Sequence, residues 1–251
     1  MTDKFLHHNM ELAGEQTMPG TPLLSADPAT QQVLRLLSRC YPPSSDRTSV
    51  RVADLGCLEG GHSAEIAKAG YDVTGIEVRE SNFQKCLTVQ EGVGRVPGRL
   101  QYVQDDVLNL KSVEQQHGKF DAIFAGGILY HLEEPVSFLK LLFDSVQNVL
   151  ILNTHFADPE TFTVFEEKGL MGDLTKNEEY FGQWYTEYST TEQFRSREKH
   201  ELSSWNASRS FWLTKPELLR ALSDVGFVDI AVMFNSEEDE AFSRATFVAW
   251  K

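Results

Sequence analysis

Five strand-like segments rich in β-branched and apolar residues recur between residues 49 and 156: SVRVADLG, YDVTGIEV, LQYVQDDV, KFDAIFAGGIL and NVLILNTHF. Helix-like stretches are interleaved with them. GHSAEIAKAG carries the helix formers Ala64, Ala67 and Ala69 and stops at Gly70, ESNFQKCLTVQ follows the second strand, and PVSFLKLLFDSV has its apolar residues at helical spacing. Strand alternating with helix implies a parallel sheet with helices on both faces. In such sheets ligands bind beyond the carboxyl ends of the strands, where the strand order reverses.

The pattern changes after residue 156. Residues 157–210 are polar, rich in aromatics and without clean periodicity. TKPELLRALSDVGF then predicts a helix with Thr214 as N-cap, Pro216 in its first turn and Gly226 at its end. VDIAVMFN and RATFVAW read as two closing strands, a hairpin joined through the acidic SEEDEAF, whose charges suit a solvated turn. No internal repeat or low-complexity tract interrupts this order.

The stretch DLGCLEGGH, residues 54–62, joins the first strand to the first helix. Its Gly56, Gly60 and Gly61 give a turn whose amides favour electronegative ligand atoms. A dinucleotide fingerprint places a second glycine two residues after the first, where backbone approaches the pyrophosphate; here that position is Leu58. Glu77 closes the second strand, where an acid can accept hydrogen bonds from ribose hydroxyls, and Asp106 ends the third, within reach of an adenine amine. An adenosine without diphosphate suits this set better than NAD, which makes a dehydrogenase the weakest reading.

VADLGCLEGGHSAEIAKAGYDVTGIEVR, YVQDDVLNL and FDAIFAGGILYHLEEP resemble, in order, the successive motifs of class I S-adenosylmethionine-dependent methyltransferases, over about residues 50–155. The resemblance implies an α/β, Rossmann-like, seven-stranded sheet, mostly parallel with a C-terminal antiparallel hairpin. It also implies S-adenosylmethionine as cofactor and S-adenosylhomocysteine as product. On the matching positions, Asp54, Gly56 and Gly60 would border the methionine part, Glu77 the ribose, and Asp106 with the Val107 backbone the adenine, while Gly126 and Gly127 would line the methionine side and Cys57 would also belong to the cofactor site. Leu58 departs from the glycine that many members carry there. HHNMELAGEQTMPG resembles the lid of the branch containing the tRNA wobble-uridine carboxymethyl-transferring enzymes, and GILYHLEEP their motif after the fourth strand. SFWLTKPELLRALSDVGFVDI is similar to the C-terminal unit of that branch and of sugar and small-molecule methyltransferases. The expected layout is a lid and helix in 1–45, a cofactor-binding core in 46–156, a substrate cap in 157–210, and a helix and hairpin in 211–251 completing the core.

His131 follows the fourth strand and is the first candidate for a base acting on an acceptor hydroxyl; His155, after the fifth, is the second. His131 could equally be a packed histidine bonded to a neighbouring backbone carbonyl. Asn153 and His155 would need further oxygen ligands to hold a divalent ion, and no compact metal motif is present, so no metal is assigned. His7 and His8 lie in the lid, either closing over the site or solvated. Tyr180, Trp184, Tyr185, Trp205, Phe211 and Trp212 can form an aromatic wall for an organic acceptor or the small core of a cap. Glu187, Asn206 and Arg209 are the polar candidates for orienting that acceptor.

A formal charge of −14 argues against non-specific nucleic-acid binding, which needs excess Lys and Arg. No apolar run is long enough to cross a bilayer, the N-terminus lacks the pattern of a signal peptide, and Cys40, Cys57 and Cys86 read as reduced cytoplasmic thiols. The leading expectation is methyl transfer to a small organic acceptor at oxygen, such as a sugar or natural product. A tRNA wobble-uridine-type methyltransferase and a non-catalytic cofactor-binding protein remain the alternatives. The sequence leaves open the acceptor, the oligomeric state and whether the cofactor is plain or carboxylated.

Overall fold

Residues 4–159, 167–235 and 243–251 are described by the structure, a computed structural model. They fall into two compact units divided after Phe124. The first begins with a short hairpin, β1 (Glu11–Leu12) and β2 (Glu15–Gln16), turned through Ala13 and Gly14 at positive φ. Helix α1 (Pro28–Cys40) starts where its sequence says it should: Asp27 accepts the amide of Thr30 at 2.8 Å and Pro28 occupies the first turn. Its buried residues Thr30, Val33, Leu36 and Leu37 form one apolar stripe.

Strands and helices then alternate: β3 (Arg51–Leu55), α2 (Gly61–Lys68), β4 (Asp72–Glu77), α3 (Glu80–Gly92), β5 (Arg99–Gln104) and α4 (Leu110–His117). β3 pairs in parallel with β4, and β4 with β5. Val52, Ala53, Asp54 and Leu55 are all buried, as expected of a parallel strand covered on both faces. β6 (Phe120–Gly126) spans the division between the units.

The second unit contains α5 (Pro135–Ser145), β7 (Val146–His155), β8 (Met171–Asn177), β9 (Tyr180–Thr186), β10 (Arg209–Leu213), β11 (Asp229–Asn235) and β12 (Arg244–Trp250). β12 runs antiparallel to both β7 and β11, so the expected closing hairpin is present. The acidic SEEDEAF between its strands lies outside the described residues. The full sheet has seven strands in the order β11-β12-β7-β6-β3-β4-β5, the mostly parallel arrangement expected from the sequence. The predicted helix forms over Lys215–Asp224, with Gly226 at φ 120° beyond it; Thr214 precedes it, but its side chain makes no capping bond.

The segment that looked irregular holds more order than its sequence showed. β8, β9 and β10 form a separate three-stranded antiparallel sheet in the order β10-β9-β8. The β8–β9 turn uses Glu178 and Glu179, both at positive φ, where a two-residue turn ordinarily carries Asn-Gly. Glu178 compensates by accepting the amides of Val136 (2.9 Å) and Ser137 (2.8 Å) at the start of α5. Among the described residues, no helix is long and apolar enough to cross a membrane.

Candidate functional site

The loop after β3 is folded tightly onto its own unit. Gly56 and Gly60 have φ of 63° and 80°, and a Cβ on Gly60 would lie 2.6 Å from the Tyr102 hydroxyl, which donates to the Gly60 carbonyl at 2.6 Å. Leu58 also takes the left-handed conformation, at φ 54°. The loop amides do not point outward as the sequence reading implied. Cys57 N–H donates to Ile76 O (3.0 Å), Leu58 N–H to Glu77 Oε2 (3.0 Å), Gly60 N–H to Cys57 O (2.8 Å) and Gly61 N–H to His8 Nδ1 (3.0 Å). These four amides are already bonded within the protein and are not free for a pyrophosphate. The loop suits a cofactor whose charged centre is a cation.

Two buried acids flank this loop. Asp54 accepts the Ser63 hydroxyl at 2.6 Å, and burial pushes its carboxyl up to about 6 against that hydrogen bond. Glu77 accepts the amides of Arg79 (2.8 Å) and Leu58 (3.0 Å). Burial raises its pKa to about 7 against these amide bonds. Asp106 accepts the Leu108 amide at 2.9 Å, which leaves it and Val107 half-buried just beyond β5. These residues fit an adenosine-bearing sulfonium, which Glu77 and Asp106 would hold by its ribose and adenine.

The N-terminal segment is clamped on the loop. Glu59, fully buried, accepts the amides of Leu6, His7 and His8 and the ammonium of Lys85 from α3. Burial alone would raise the Glu59 pKa, but Lys85 and the three amides outweigh it and hold it below the ordinary range. His8 is buried, not solvated, and burial holds its pKa well down. Its Nδ1 accepts from Gly61, so the neutral ring carries its proton on Nε2. Cys57 and Cys86 sit behind the loop as free thiols with sulfurs 3.7 Å apart, and Cys86 also donates to the Leu58 carbonyl at 3.2 Å.

In the second unit, His131 and Glu187 meet. Nδ1 of His131 lies 2.8 Å from Glu187 Oε1, whose side chain is buried. A carboxylate only accepts, so Nδ1 carries the proton and Nε2 is left as the basic atom. Glu187 also accepts the Ser210 hydroxyl (2.8 Å) and the Ser204 amide (3.1 Å), while the Ser204 hydroxyl donates to the His131 carbonyl at 2.6 Å. Tyr130 packs against His131 at 4.3 Å and edge-on to His155 at 4.5 Å; His155 and Tyr185 each stack on Trp212.

Strand alternation splits the expected aromatic wall. Tyr185 and Glu187 share a face with Ser210 and Trp212 of β10, toward His131. Trp184 faces the other way onto Phe211, with the Arg209 guanidinium 3.9 Å from its ring centroid. Trp205 holds Arg197 instead, Asn206 is exposed, and Tyr180 bonds Asp224. Burial first, then Arg244, lowers the His155 pKa to about 4, which makes it a poor proton acceptor. Gly127 donates to the Asn153 carbonyl, and the Asn153 side chain is taken by Arg244 (2.6 Å) and Thr246 (2.8 Å). Among the described residues, no three His, Cys, Asp or Glu side chains converge as a metal requires. Glu59, Lys85, Tyr130, Ser204, Ser210 and Arg244 escaped the sequence reading. Only Glu59, inside the glycine-rich loop, stood where a signal could have been sought.

The profile of the family described as "Methyltransferase domain" matches residues 53–148. A tRNA U34 carboxymethyltransferase of Sulfurovum sp. (strain NBC37-1) is 27% identical over 126 residues, 47% of this chain and 38% of that protein. That of Alteromonas mediterranea is 26% identical over 129 residues, 50% of this chain and 39% of that protein. The chain therefore matches under two fifths of the length of these relatives. The N-terminal domain of EvdMO1, solved in the presence of S-adenosylhomocysteine and D-fucose, superposes with a TM-score of 0.69 at 22% identity, covering 96% of this chain and 89% of that one. Magnesium protoporphyrin IX methyltransferase from Synechocystis PCC 6803, with bound S-adenosylhomocysteine, gives 0.54 at 17% identity over 89% and 82%. Residues 53–148, which hold the loop, the strand-end acids and the central strands of the seven-stranded sheet just described, thus match a methyltransferase domain, and the chain has the fold of S-adenosylmethionine-dependent methyltransferases.

Proposed function

We propose that this protein methylates a hydroxyl of a small polar organic acceptor, a sugar or natural product, with His131 as the proton acceptor. The observation that carries the reading is the buried Glu187 carboxylate on His131 Nδ1. The cofactor supplies an electrophilic methyl on a positively charged sulfur. Transfer to nitrogen or sulfur can proceed without a base, whereas a hydroxyl must lose its proton on the way. Glu187 fixes the tautomer and balances the charge His131 acquires, the logic of a base oriented by a third group. Such a base is worth about 10²–10⁴ in rate. Tyr130, Tyr185 and Trp212 supply the apolar surface on that face. The structure of the N-terminal domain of EvdMO1 was solved in the presence of D-fucose, a small hydroxylated sugar. A cytoplasmic setting, which the three free thiols suit, is part of this proposal.

The curated relatives favour a second reading, in which the acceptor is tRNA. The net charge of −14 weighs against it. The test is to incubate the protein with S-adenosylmethionine and a panel of sugars, glycosides and phenols, with tRNA in parallel, following product mass. Addition of one methyl to a hydroxylated acceptor, lost in His131→Ala, supports the proposal. Methylation of tRNA alone, or an O-methylation indifferent to His131→Ala, sinks it.

A further inference from the structure

Three consecutive amides converging on one carboxylate form an anion-binding nest. Here the nest belongs to the N-terminal strap, at Leu6, His7 and His8 (2.8, 2.9 and 2.8 Å), and its occupant is Glu59 of the cofactor loop. Lys85, itself buried, completes the set at 2.9 Å. Behind the nest, Phe5 and Met10 of the strap pack in one apolar cluster with Leu24, Cys57, Ala64, Cys86 and Tyr102. Seating the strap in this way places His8 on the Gly61 amide at the first residue of α2. Gly61 has no room for a side chain there: a Cβ would collide with Leu24 and lie 2.8 Å from His8 Nδ1.

We propose that Glu59 is a positioning residue for cofactor binding, acting through the strap and His8 to hold the glycine-rich loop in its binding shape. Gly56, Gly60 and Gly61 make the isolated loop flexible, and a ligand that must order it binds more weakly. Tyr102 braces the loop at Gly60, and His8 braces it at Gly61. Glu59 is what keeps His8 there. Cofactor exchange then requires the strap to lift from the nest. This inference rests on the cofactor and not on the acceptor, so it stands or falls apart from the O-methylation reading.

The test is calorimetric titration with S-adenosylhomocysteine of the wild type, Glu59→Gln, His8→Ala and the double variant, with limited proteolysis of the strap alongside. Glu59→Gln retains the shape but turns an amide donor toward amide donors. Each single variant is expected to weaken binding at least tenfold, with faster cleavage in the strap. The double variant should bind no worse than the weaker single one, because both act along one path. Wild-type affinity in the singles, or losses that multiply in the double, overturns the proposal. Absence of binding by the wild type overturns it together with the cofactor assignment. If Glu59→Gln does not fold, His8→Ala decides alone, and unchanged affinity there overturns the proposal.

Discussion

The Leu58 amide donates to Glu77 Oε2 at 3.0 Å, so the residue that turns the cofactor loop and the acid that ends β4 are held as a pair. Burial raises the Glu77 carboxyl to about 7, against the amides of Arg79 and Leu58. If ribose hydroxyls donate to its ionised form, binding below that pH must release a proton. S-adenosylhomocysteine affinity should fall by up to about tenfold per pH unit below pH 7 and level off above it. Titrations from about pH 5.5 to 8.5 in buffers of different ionisation enthalpy will show this, and Glu77→Gln should bind weakly with a flat profile. A flat wild-type profile contradicts it. Stability of the cofactor-free protein runs the other way. A carboxyl whose folded pKa is raised contributes stability that is complete below its unfolded pKa and is lost as pH rises toward 7.

Leu58 holds φ at 54°, a conformation that costs a residue with a Cβ about 1–2 kcal/mol. Leu58→Gly relieves that strain, offset in part by the greater freedom of glycine in the unfolded chain. Thermal unfolding should shift upward by about 2 °C, with S-adenosylhomocysteine affinity within a factor of about three of wild type. A fall in melting temperature would mean that the leucine side chain contributes more by packing than its backbone loses.

His131→Ala should lower kcat for a hydroxyl acceptor by about 10²–10⁴ while leaving cofactor affinity unchanged. Glu187→Gln keeps an acceptor beside Nδ1 but removes the balancing charge, so kcat should drop by about tenfold or more with KM little affected. Equal effects on cofactor affinity and kcat would reduce both residues to structural roles.

Asn82, on the buried stripe of α3, has neither its amide nitrogen nor its carbonyl oxygen hydrogen-bonded. A buried polar group left unsatisfied costs about 1–3 kcal/mol. Asn82→Ala removes both orphaned atoms and improves helix propensity, so chemical denaturation should show a gain of about 1 kcal/mol. A loss would show that a bound water completes the site.

The strand and helix alternation from Arg51 to His155 was legible because β3, β4, β6 and the middle of β7 are buried on both faces and read as apolar runs. The positive-φ turn after β3 and the placement of Glu77 and Asp106 at strand ends were legible because turn chemistry and strand ends are local properties. β8 and β9 were not. Their turn carries Glu178-Glu179 in place of a glycine signal, and that strain is held by a contact 42 residues back, with Val136. Glu187 was read as a group for the acceptor, whereas its partner, His131, lies 56 residues away. The nest around Glu59 is likewise a long-range pairing of main-chain donors, which no side-chain pattern encodes.

The two faces of β9 bear on how such a site diversifies. Positions 185 and 187 look toward His131, and position 184 looks away with Phe211 and Arg209. Point changes on one face can accumulate with little disturbance to the other. A single inserted or deleted residue in the 178–179 turn exchanges them, sending Glu187 away from its histidine and turning Trp184 to the face it left. Descendants of this sequence are thus expected to vary at alternate positions along β9 while keeping the length of its turn.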